Sequence, residues 1–132
     1  MNSRPPAPPP HGTILVVEDE LQLSRLFVEV LTTAGYDAVP AYSVSDALGS
    51  VATQHFDAAV LDIELRDGPV FPVADRLAAL GIPFLFASAV YAQMVPRQHQ
   101  GTPFVGKPFN IDTLVARVAE AVARGRAATP VQ

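Results

Sequence analysis

Six polar side chains stand where apolar runs stop. Glu18 and Asp19 follow "TILVV", Asp62 ends "AAVLD" with Glu64 two residues on, Ser88 closes "PFLFAS", and Lys107 follows "TPFVG". Lys107 is the only lysine in the chain; arginines carry the rest of the positive charge. Carboxylates drawn within a few ångströms of one another repel and raise their own pKa values. A hard divalent cation with oxygen ligands relieves that repulsion. Any one of these acids alone reads as a solvated loop residue. Three of them, joined by the sole lysine, read as a cation site.

The elements that must position them alternate between two periodicities. "TILVV" (13–17) is a continuous apolar run, as expected of a strand covered on both faces. Leu23, Leu26, Phe27, Val30, Leu31 and Ala34 recur at helical spacing, and Gly35 ends that helix. "YDAVPAY" is a short second strand, whose Pro40 lacks a ladder donor and suits a sheet edge. Ser43 followed by Asp46 resembles a capping box that opens a second helix. "AAVLD" (58–62) is a third strand. Pro72 to Leu80 form a short third helix closed by Gly81. "PFLFAS" (83–88) and "TPFVG" (102–106) are the fourth and fifth strands. Asn110 caps a last helix with a core stripe of Ile111, Leu114, Val115, Val118 and Val122.

Strands alternating with helices imply right-handed crossovers and a parallel sheet. Five such units predict a flavodoxin-like, doubly wound α/β fold with strand order 2-1-3-4-5 and helices on both faces. The ligand site of that fold lies beyond the carboxyl ends of strands 1 and 3, where the winding reverses. Between strands 4 and 5, "AVYAQMVPRQHQG" (89–101) has only a brief apolar stripe, broken by Pro96. A short or mobile fourth helix is expected there.

The totals narrow the function. The chain has 132 residues, 49% hydrophobic and 17% charged, which suits one domain with a substantial core. A net charge of -4 and the lack of a basic patch argue against a nucleic-acid surface. Without cysteine there is no disulfide or thiolate metal site. No apolar run is long enough to span a membrane and no signal peptide opens the chain, so a cytoplasmic location is expected. "MNSRPPAPPPHG" (1–12) reads as a disordered, proline-rich arm, 13–124 as the domain, and 125–132 as a flexible tail. His11, His55 and His99 have no relay context and are expected at the surface. Leu21 and Val28 lie seven apart on the side of the first helix away from its core stripe, where they could meet the helical histidine domain of a kinase.

"ILVVEDE", "AAVLDIELRDG", "IPFLFASA" and "PFVGKPF" together resemble the four signature stretches of the receiver domain of two-component response regulators, over residues 13 to about 124. The resemblance implies that Asp62 accepts a phosphoryl group from a histidine kinase or histidine phosphotransfer protein. It implies Mg2+ held directly by Asp19 and Asp62, through water by Glu18, and by the backbone carbonyl of Glu64. Lys107 and Ser88 would contact phosphoryl oxygens, with a cis Lys107–Pro108 bond. Phe104 stands at the switch position; a permanent core phenylalanine is the alternative. Phe86 and Ala87 also match a stand-alone receiver subgroup with a Phe-Ala-Thr-Gly-Tyr stretch. Ser88 and Ala89 depart from it, and Tyr91 comes one place late.

The resemblance thus implies a signalling protein rather than an enzyme, acting on an unidentified downstream protein or passing the phosphoryl group on. Two other classes compete. One is a degenerate receiver that binds partners without phosphorylation. The other is an aspartate-based phosphatase, but there the nucleophile motif opens the domain, whereas here the acid pair precedes it. A flavin-binding protein of similar topology would need a phosphate cradle where "EDELQLS" stands.

Overall fold

The structure, a computed structural model, describes residues 11–89 and 95–128. Strand β1 (Thr13–Val17) is followed by helix α1 (Leu21–Thr33), β2 (Asp37–Ala41), α2 (Val44–Thr53) and β3 (Ala58–Leu61). A small hairpin, β4 (Glu64–Leu65) and β5 (Gly68–Pro69), leads into α3 (Phe71–Ala79). Then come β6 (Phe84–Ser88), a 3-10 turn (Arg97–His99), β7 (Phe104–Gly106) and α4 (Ile111–Ala128). The five long strands are all parallel, in the order β2-β1-β3-β6-β7. With the hairpin set aside this is the predicted 2-1-3-4-5.

The inner strands β1, β3 and β6 are apolar along nearly their whole length because the sheet is covered twice. Leu15 and Val17 pack with α2 and α3, while Ile14 and Val16 pack with α1 and α4. Successive side chains point to opposite faces, so one run feeds two cores. Ile14, Leu15, Val16, Leu61 and Leu85 are fully buried. Truncating one such leucine to alanine costs about 2–5 kcal/mol. Pro40 sits on the edge strand opposite Val16, where its missing N–H breaks no outer ladder.

The helix starts form as their sequences direct. The Ser43 hydroxyl accepts from the Asp46 N–H at 3.0 Å, and Asp46 reaches back to the Tyr42 N–H at 3.1 Å. Asn110 accepts from the Thr113 N–H at 3.1 Å. Gly35 and Gly81 take positive φ values of 100° and 71° where α1 and α3 end, conformations glycine adopts freely.

Several expectations need correction. Leu26 is exposed, because it lies about 100° round the helix from buried Phe27. Ser24, within about 20° of Leu31 on that wheel, is buried instead. Ile111 is 48% exposed; its turn starts beyond the end of β7, and the α4 stripe continues through Ala121. His99 is buried rather than at the surface. Residues 11 and 12 already bond to the fold. The His11 N–H bonds the Gly35 carbonyl at 2.8 Å, and the Gly12 carbonyl accepts from Asp37 at 2.9 Å. At the other end α4 runs on to Ala128, past the expected boundary at 125. The proline-rich arm as far as residue 10, the centre of the expected fourth helix (90–94) and the last residues (129–132) lie outside the described residues. What is described of 95–101 holds a 3-10 turn, with Val95 buried.

The hairpin turn ties β3 to α2. The Asp67 carboxylate accepts from the N–H groups of Val44 at 2.8 Å and Ser45 at 3.1 Å, at the positive end of α2. These bonds hold its pKa below the ordinary 3.8. Because the folded value is depressed, the stabilisation is present above 3.8 and is lost as pH falls through the folded value. Asp67→Asn should therefore melt below the wild type at pH 7. The two melting curves should converge in acid; a constant gap would show that the charge does not matter.

Candidate functional site

Glu18, Asp62 and Lys107 stand one step beyond their strands, and the sheet's backbone bonds still hold them. The Glu18 N–H bonds the Ala41 carbonyl at 3.0 Å, the Asp62 N–H bonds Val17 at 2.9 Å, and the Lys107 N–H bonds Ser88 at 3.1 Å. Three parallel strands therefore deliver their charges to one edge, where β6 adds the hydroxyl of Ser88. This edge is the crevice where winding reverses, since β1 is flanked by β2 and β3.

There the carboxylates of Glu18, Asp19 and Asp62 converge, with one oxygen from each within 4.8 Å of the others. Glu18 is 1% exposed and Asp62 8%. Lys107 Nζ lies 2.7 Å from Glu18 Oε1 and 3.5 Å from Asp62 Oδ2, so the ammonium is bonded to Glu18 and merely adjacent to Asp62. The other Glu18 oxygen accepts from the Glu20 N–H at 3.1 Å. Burial pushes the Glu18 carboxyl above its ordinary value; the bonds from Lys107 and Glu20 oppose the rise, and the charge of Asp62 adds to it. The Lys107–Pro108 peptide bond is cis, as expected.

Ser88 ends β6 opposite Gly106 and is buried. Phe104 opens β7 opposite Phe86, half-buried, with ring centroids 6.5 Å apart. The Glu64 side chain is exposed on the hairpin and takes no part in the carboxylate cluster. Leu21 is 48% exposed and Val28 half-buried on α1.

Two neighbours of the site were not singled out by residue type. Arg66 donates to the Asp19 carbonyl at 3.4 Å, and Asp67 beside it caps α2. Together they string the hairpin turn between the acidic loop and the second helix. The signal for this turn was present: Asp-Gly after an apolar strand marks a hairpin.

The donor set suits a hard divalent ion. All three side chains offer carboxylate oxygens, and one ammonium leaves the cluster with excess negative charge. Softer metals favour nitrogen or sulfur ligands, which this cluster lacks.

A doubly wound sheet with an acid pocket and a lysine at its crevice defines a flavodoxin-like α/β protein whose carboxylates are grouped closely enough to hold a cation. The chain belongs to the response regulator receiver domain family, whose model matches residues 14–119. Receiver domains are signalling proteins of two-component systems and bind Mg2+ at an acidic pocket.

Among curated proteins the chain is similar to the swarming motility regulation protein RssB of Serratia marcescens. Identity is 31% over 110 residues, covering 80% of this chain and 50% of that protein. It is 32% identical over 123 residues to the transcriptional regulatory protein KdpE of Mycobacterium tuberculosis, covering 90% and 54%. The chain thus spans about half the length of these relatives. In fold it is similar to a CheY-like receiver domain protein of Methanospirillum hungatei, with a TM-score of 0.81, 20% identity, and coverage of 89% and 98%. It is also similar to the HemR receiver domain of Leptospira biflexa, with a TM-score of 0.74, 27% identity, and coverage of 91% and 98%. Among the described residues no helix is long and apolar enough to cross a membrane.

A cation bound only by the folded protein adds about 2.7 kcal/mol at a hundredfold excess over its dissociation constant. Millimolar Mg2+ should therefore raise the melting temperature, whereas Asp62→Asn should raise it in EDTA by removing one of three crowded charges. Thermal melts of both proteins with and without Mg2+ check this; an indifferent wild type would count against the site.

Proposed function

We propose that this protein is a phosphoacceptor of a two-component pathway, with Asp62 receiving the phosphoryl group from a histidine kinase or a histidine phosphotransfer protein. The observation that carries the reading is the convergence of Glu18, Asp19 and Asp62 with Lys107 lying 3.5 Å from Asp62. An Asp62 carboxylate oxygen attacks phosphorus. The phosphorus–nitrogen bond of the phosphohistidine breaks as the new phosphorus–oxygen bond forms, and the electron pair leaves on the imidazole nitrogen.

Asp19 and Asp62 would hold Mg2+ directly, with Glu18 through water and the Glu64 carbonyl completing the protein ligands. Bound there, Mg2+ supplies neutralising charge to the transferring group. Lys107 contributes a second positive charge from a fixed position, since its bond to Glu18 holds the ammonium at the edge of the pocket. Such preorganised charge is most of what phosphoryl transfer asks of a protein. The Ser88 hydroxyl would meet a phosphoryl oxygen from the end of β6. Phe104, half-buried in register with Phe86, is the switch that reads the change. The phosphorylated protein then docks on a protein partner or passes the group on.

Incubation with acetyl phosphate and Mg2+ should add one phosphate, seen by intact-mass measurement. The adduct should vanish in EDTA and in Asp62→Ala. An equal adduct on the Asp62→Ala protein would sink the assignment. No adduct on the wild type from either acetyl phosphate or phosphorylated kinase would favour a phosphorylation-independent interaction module.

A further inference from the structure

His99 occupies a place that packing alone does not explain. It is 5% exposed, at the end of the 3-10 turn between β6 and β7. Its ring centroid lies 5.6 Å from Phe84, 6.3 Å from Phe86 and 6.3 Å from Phe71, edge-on to the first two and near-parallel to the third. A phenylalanine or leucine would fill such a cage without a polar atom to satisfy. A buried imidazole N–H left without a partner costs about 1–3 kcal/mol. The partner here is specific: His99 Nε2 lies 2.7 Å from Asp75 Oδ1, on α3. A carboxylate only accepts, so Nε2 carries the hydrogen. Asp75 itself is 56% exposed, and the buried histidine is thus moored to the outside of the neighbouring helix.

The two ends of this bond belong to the two chain segments that leave the site. Asp75 lies on the segment that follows Asp62, through the hairpin and α3. His99 lies on the segment that follows Ser88. The turn around His99 is stiffened by its own N–H to Pro96 at 2.9 Å and by Thr102 N–H to its carbonyl at 3.0 Å. Two residues after Thr102 comes Phe104, which faces Phe86 across the β6–β7 pair. Phe86 in turn meets Phe71 edge-on at 6.0 Å. Ring pairs at these spacings favour particular tilts, so a displaced member disturbs the others.

We propose that His99 and Asp75 are positioning residues for the phosphoryl site. Their bond locks the Phe71–Phe86–Phe104 cluster, and with it the carboxyl end of β6, into the arrangement that receives the phosphoryl group. The proposal rests on the phosphoacceptor reading above. It places the coupling between α3 and the β6–β7 connection in one side-chain bond outside the acidic pocket. Coupling between two sites is reciprocal and typically amounts to a factor of five or more.

The test is binding of beryllofluoride, in excess Mg2+, to the full chain carrying Asp75→Ala, Asp75→Asn, His99→Phe or no change. Mg2+ affinity is measured in parallel. His99→Phe keeps the cage filled, and Asp75→Asn keeps a neutral acceptor for the imidazole N–H. Asp75→Ala and His99→Phe should weaken beryllofluoride binding by about fivefold or more, while Mg2+ affinity stays within about twofold. Asp75→Asn should recover most of the loss. A slowly exchanging imidazole N–H signal in the wild type, absent from Asp75→Ala, should report the bond directly. Unchanged beryllofluoride affinity in Asp75→Ala and His99→Phe would overturn the proposal, as would equal losses of Mg2+ and beryllofluoride affinity. A wild type that binds Mg2+ but no beryllofluoride would overturn the phosphoacceptor reading and this inference with it.

Discussion

The contact between Lys107 and the buried acids governs how this protein can exist as a folded chain. Glu18 is almost wholly removed from water, with Asp62 close by and nearly as deep. Burying a carboxylate without a partner costs far more than a hydrogen bond returns. The single lysine answers that need at 2.7 Å, and the Glu20 N–H adds a second bond. Even so, burial keeps the Glu18 carboxyl raised. One ammonium does not balance three carboxylates, so the pocket keeps an excess of negative charge.

The parallel sheet makes this confrontation possible and gives it rigidity. Glu18, Asp62 and Lys107 each directly follow a strand, and each backbone N–H is still bonded to a neighbouring strand. The side chains therefore stand on the stiffest part of the molecule, not on free loops. The sheet in turn depends on two separate cores, one beneath α1 and α4 and one beneath α2 and α3. Residues Arg66 and Asp67 bind the acidic loop and the start of α2 to the hairpin, so the site is braced from the side as well as from below.

The core beneath α2 and α3 holds several aromatic rings around β6 and β7. Phe71, Phe84, Phe86 and Phe104 surround or adjoin a histidine that answers to a carboxylate on α3. A cluster of flat rings has few good arrangements and little slack. Phe86 and Phe104 face each other across the β6–β7 pair, two residues before Ser88 and three before Lys107.

The strand and helix alternation was legible in the chain because periodicity is a local property. Five apolar runs, two capped helix starts and the acids after strands 1 and 3 follow from spacing alone. Right-handed crossovers and a parallel sheet followed from the alternation, whereas the order 2-1-3-4-5 leaned also on the family resemblance, because doubly wound sheets occur in more than one order. Whether an apolar residue is covered depends on what lies opposite, and so Leu26 and Ile111 were misjudged. The polar run "PRQHQ" carries no sign that His99 is buried, because Phe71, Phe84, Phe86 and Asp75 come from distant parts of the chain. Nor does composition say which acid Lys107 will choose. That choice, Glu18 at 2.7 Å over Asp62 at 3.5 Å, is made where β1, β3 and β7 end together, 89 residues apart in sequence for the bonded pair.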